Sequence, residues 1–184
     1  HVRSKVTNML NEKHFTGHWW IFLLLLLLLL IDGSLASVLA QWIMQPNFMG
    51  TPQLTLLGLV MVTLLVPQEK YITWIAALIG LLFDSFYTGI LGINALLFAL
   101  VIYVVRQIRP YIPHTPIFVG MVYIIALLLY GVASYAANHF IGYGSASVVM
   151  LIANHLGPGL TVNLILFVIV YGPLHRLLMN LAEE

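Results

Sequence analysis

Two carboxylates, Asp32 and Asp84, interrupt otherwise apolar stretches of the chain, and their chemistry has to be accounted for first. A charged side chain at the centre of a membrane helix costs roughly 2.5 to 3.5 kcal/mol on insertion scales, so each asks for a partner or a purpose. Three readings are open: protonation forced by burial, hydrogen bonds to Asn94, to tyrosines or to helix N-terminal amides, and a proton relay. Asp84 stands just before the turn that carries Gly89 and Gly92, where it can cap the start of the next helix. The seven histidines make no metal site by spacing. His14 and His18 stand at i, i+4 but lack a third ligand, and beside Trp19 and Trp20 they read as interfacial anchors. His114, His139, His155 and His175 read as surface or loop residues. With no cysteine there is no thiolate nucleophile, disulfide framework or Cys-based zinc site. No G-x-S-x-G, H-E-x-x-H or phosphate-cradling glycine loop is present. No catalytic, cofactor-binding or metal-ligating residue is assigned, and the expectation is a protein that is not an enzyme.

The elements that position these acids follow from composition. Of 184 residues, 61% are hydrophobic and 7% charged, against roughly 25% charged in a soluble domain. This excludes a soluble globular enzyme and a nucleic-acid binder. A helix needs about 20 apolar residues to cross a hydrocarbon core about 30 Å thick. Six stretches are candidates: 19–44, 52–66, 71–86, 90–105, 116–140 and 160–178. The second, at roughly 15 residues, falls in the range of a buried or re-entrant segment. Charge placement decides for crossing: with six spans, Arg3, Lys5, Lys13, Lys70, Arg106, Arg109 and Arg176 all lie on one side. The opposite loops carry no Lys or Arg. The positive-inside rule then predicts an all-α integral membrane protein, one domain over 1–184, a bundle of six transmembrane helices with both termini cytoplasmic. Residues 1–18 form a cytoplasmic segment, either a short amphipathic helix on the membrane face or a frayed tail. A cleaved signal ending near Val38-Leu39-Ala40 is the lesser reading, because the apolar run is long and Asp32-Gly33 interrupts it.

Small residues accompany both acids at helical spacing. Asp32, Ala36 and Ala40 share one face of the first helix, and Ala76, Gly80 and Asp84 one face of the third. Such faces let helix backbones approach closely, first within the bundle, and Ala36, Ala40 and Ala76 are also the candidate face for another membrane protein's helix. The uncharged stretch 141–159 reads as an interfacial helix or a loop dipping toward the bundle.

The run Gly80-Leu-Leu-Phe-Asp84-Ser-Phe-Tyr-Thr-Gly89-Ile-Leu-Gly92-Ile-Asn94-Ala95 resembles the signature of the rod shape-determining protein MreD family, in which glycine, aspartate, two further glycines and alanine follow one another across the turn between two central helices. Length, few charges and topology suit that family over the whole chain. The resemblance implies a non-catalytic scaffold subunit of the bacterial cell-elongation complex in the cytoplasmic (inner) membrane. Its implied partners are MreC and, in a larger complex, MreB, RodA and a penicillin-binding transpeptidase, alongside membrane lipid. It also implies a fold similar to the six-helix substrate-binding subunits of energy-coupling-factor transporters. The alternative is such a vitamin-binding subunit itself, with Ala36 and Ala40 docking its coupling protein and Tyr135, Asn138, Asn154 and Asn163 lining an outward pocket.

Overall fold

The computed structural model describes residues 18–42, 53–66, 70–88, 91–113, 115–141 and 157–183. They form six α-helices: α1 (His18–Trp42), α2 (Leu54–Leu65), α3 (Ile72–Phe83), α4 (Ile93–Ile108), α5 (Pro116–Ile141) and α6 (Gly157–Glu183). A wider π-helical turn, Asp84–Thr88, continues α3, and a 3-10 turn, Arg109–Tyr111, ends α4. Among the described residues, four stretches are long and apolar enough to cross a membrane: Trp19–Val38, Ile93–Tyr111, Pro116–Ala137 and Gly159–Asn180.

The other two helices are shorter, and α2 is the centre of the bundle. Its sequence is apolar all round, and all twelve of its residues are buried, as expected of a helix with no face left for solvent or lipid. Twelve residues rise only about 18 Å, and α2 packs on all five other helices. It begins opposite Asp32, which lies ten residues, or about 15 Å, before the C-terminal end of α1. Below that point α2 runs antiparallel to α1, with Gly58 against Leu25 and Leu28. Within the expected second segment, 52–66, Leu54–Leu65 is therefore a fully enclosed helix whose N-terminus starts inside the bundle.

α3 and α4 make the most extensive pairing in the molecule. A Cβ added at Gly80 would stand 2.6 Å from both the Ala95 nitrogen and the Asn94 carbonyl oxygen and would also overlap the Ala95 Cα. Gly80 and Ala95 are thus where the two backbones touch. On the far side, Gly120 of α5 admits the Phe167 ring of α6, whose Asn163, Phe167, Tyr171 and His175 recur every four residues along one face. Around α2 the core is closed by Ile21, Leu25, Ile72, Ile79, Phe98, Ile102, Val119, Tyr123, Leu174 and Leu178. The outward residues of α1, α5 and α6, such as Leu23, Leu27, Ile117, Ile125, Val168 and Ile169, are exposed and apolar, as a lipid-facing surface requires.

Candidate functional site: two helix starts held by aspartates

The first four N–H groups of a helix have no partner within it, and inside an apolar bundle no water supplies one. In this protein two helices begin in such a place, and each meets a carboxylate from the preceding helix.

Asp84 is fully buried. Its Oδ2 accepts from the backbone N–H of Gly92 (3.0 Å), Asn94 (3.1 Å) and Ala95 (3.4 Å) at the start of α4. Its Oδ1 accepts from the Asn94 side-chain amide at 2.7 Å. Asn94 passes the connection on, its Oδ1 accepting from the Tyr130 hydroxyl of α5. Gly92 makes this geometry possible. It is the N-cap of α4 with φ of 106°, a conformation that L side chains resist. No atom lies within 4 Å of a Cβ built there, so Gly92→Ala should cost about 1 to 2 kcal/mol from backbone strain alone. Chemical unfolding in detergent, followed by circular dichroism, checks this.

Asp32 does the same for α2 from the side of α1. Its Oδ1 accepts from the Leu54 N–H at 2.7 Å, and its Oδ2 from the Thr55 N–H at 2.7 Å and the Thr55 hydroxyl at 2.6 Å. Asn163 of α6 accepts from the Gln53 N–H of the same turn on its Oδ1 at 2.7 Å, and its own amide donates to the Gly159 carbonyl at 2.8 Å. The Tyr123 hydroxyl of α5 donates to the Gln53 carbonyl at 3.0 Å. Neither aspartate needs a cation, because helix N-terminal amides carry partial positive charge.

α5 ties the two clusters together. Tyr123 and Tyr130 stand at i, i+7 on one face, about 10 Å apart along the axis, and each hydroxyl enters one cluster. Thr55, Tyr123 and Tyr130 were not among the residues singled out from the sequence. The signal available was that seven-residue spacing on an apolar helix. Asn163 is buried with its side chain engaged at the start of α2 and does not stand free to line an outward pocket.

The other expected residues fall as follows. Ala76 is fully buried in the core, and Ala36 is half-buried on α1. Ala40 lies in α1 and Asn138 in α5, both beyond the described side chains; Gly89, Asn154, His14, His114, His155 and most of 141–159 lie outside the described residues. Tyr135 is half-buried and stacks on His139 at 6.0 Å, while His175 stacks on Tyr171 at 5.4 Å. Among the described residues no three His, Asp or Glu side chains converge as metal ligands.

Gly80, Asp84, Gly92, Asn94 and Ala95 thus build one device, a close crossing with a capped start. The family model of rod shape-determining protein MreD matches residues 13–181 of the chain. No curated protein and no solved structure matches the chain.

Proposed function

Because the chain belongs to the rod shape-determining MreD family, we propose that it is a non-catalytic membrane scaffold of the bacterial elongation complex, binding MreC and through it supporting MreB, RodA and a penicillin-binding transpeptidase in lateral peptidoglycan synthesis. The observation that carries this reading is the family match over residues 13–181. The polar interior supports it, since Asp32 and Asp84 are both engaged in holding helix starts.

In this reading the protein sits in the cytoplasmic membrane as a multi-pass bundle. The chain makes six passes with both termini facing the cytoplasm, the second of them through α2, which begins inside a sleeve of the other five helices and by itself spans only part of the hydrocarbon core. One structural relation supports a common end for the cations: the Arg106 Nη1 donates to the Lys70 carbonyl at 3.2 Å, so the end of α4 meets the start of α3. The likeness in fold to the substrate-binding subunits of energy-coupling-factor transporters belongs to the same proposal.

The MreC transmembrane helix docks on the small-residue face of α1 that carries Ala36 and Ala40. Ala76, expected as part of that face, is buried in the core, and Gly80 stands against Ala95 of α4, so both serve the bundle's own packing. Ala36→Leu should lower recovery of co-expressed MreC severalfold while the protein still elutes as a folded species. Recovery equal to wild type would remove α1 as the docking face. Loss of rod shape on depletion, without rescue by the Ala36→Leu protein, would link docking to function.

A further inference from the structure

Three cations gather at one corner of the bundle. Lys70 stands just before Tyr71, the N-cap of α3, Arg106 lies in the last turn of α4, and Arg109 follows it by three residues. Arg106 reaches across to the Lys70 carbonyl and stands at i, i+3 to Arg109, a spacing that places the two on one side of the helix end. Like charges brought together destabilise one another unless an anion is shared among them. The described carboxylates do not serve, because Asp32 and Asp84 are committed at the starts of α2 and α4. Exposed aromatic rings lie within five residues of these cations along the chain: Tyr71 and Trp74 at the start of α3, Tyr103 and Tyr111 near the end of α4. Such rings sit where hydrocarbon gives way to headgroups, and basic recesses between helices at that level suit lipid phosphates.

We infer that Lys70, Arg106 and Arg109 form a binding site for a phosphate group, supplied by the headgroup of an anionic phospholipid. The guanidinium of Arg106 is positioned by the Lys70 carbonyl and keeps further donors for phosphate oxygens, which planar guanidinium groups match well. The site is independent of the scaffold role and needs only a membrane-embedded bundle.

The test uses the full chain in nanodiscs of phosphatidylcholine doped with phosphatidylglycerol, followed by native mass spectrometry of the lipid retained after release into detergent. Wild type should retain phosphatidylglycerol over phosphatidylcholine, and Arg106→Gln/Arg109→Gln should lower that retention about tenfold. Arg176→Gln, which removes a cation of α6, a helix that packs mainly on α2 and α5, should leave it unchanged. Glu69→Gln, next to Lys70 in the chain, should hold or raise it. Circular dichroism verifies that each variant is folded. No preference in wild type, equal loss in Arg176→Gln, or loss in Glu69→Gln overturns the site. Inorganic phosphate added to lipid-free protein separates the sources. Thermal stabilisation by phosphatidylglycerol alone identifies the lipid, and stabilisation by phosphate that the arginine pair abolishes identifies a soluble phosphate as the occupant of the same site.

Discussion

Gly80→Val should destabilise the bundle by at least about 3 kcal/mol and lower the yield of folded protein sharply. The reason is the identity of the atoms in the way. At Gly80 the new side chain would meet the backbone of Asn94 and Ala95, which cannot rotate aside. α3 and α4 must then separate, and separation draws the Asn94 and Ala95 amides away from Asp84, whose bonds to them are already 3.1 to 3.4 Å long. One substitution therefore adds overlap and removes a cap. Two other glycines calibrate the result. At Gly58 the obstacles are the ends of the Leu28 and Leu25 side chains, which can yield, so Gly58→Ala should cost less. At Gly172 the space is open, and Gly172→Ala should be near neutral. Denaturant midpoints in one detergent should fall in the order Gly172→Ala, Gly58→Ala, Gly80→Val, from highest to lowest. A Gly80→Val midpoint equal to wild type would show that the α3–α4 crossing is not the tight contact described.

Asp32→Ala should cost about 3 kcal/mol, from the loss of three short hydrogen bonds and the stranding of two backbone N–H groups and a hydroxyl in the interior. Thr55→Val removes only one of these bonds and should cost about 1 kcal/mol. Asp32→Asn is the informative variant. Its amide oxygen can still accept from α2, but its amide nitrogen would face donors, so its loss should fall between the other two. Unfolding midpoints of the three variants check this order. An Asp32→Ala protein as stable as wild type would mean that the start of α2 finds other partners.

Part of this arrangement is legible in the residues alone. Asp84 stands close in sequence to Gly92, Asn94 and Ala95, so the cap on α4 and the polar tie between the helices follow from a ten-residue hairpin. The partner of Asp32 is a different matter. Thr55 is 23 residues away, and whether it meets Asp32 depends on where α2 begins, which an apolar run from Leu54 to Val66 does not mark. The same run reads alike whether the helix spans a membrane or is wrapped by other helices, because the two environments are equally apolar. Asn163 and Tyr123 come from helices whose rotation about their own axes is set by packing, with Phe167 seated on Gly120. In the sequence alone, Asn163 therefore reads as a pocket residue.

The two capped starts also bear on how the chain is made. In each case the acceptor is synthesised before the amides it receives: Asp32 precedes Leu54, and Asp84 precedes Asn94. When α2 or α4 emerges from the ribosome, the carboxylate that will hold its first turn is already part of the membrane-bound hairpin partner. The carboxylate acceptors thus precede their amides along the chain, whereas the Gln53 N–H takes its acceptor, Asn163, from the last helix, and α5 joins both starts through Tyr123 and Tyr130.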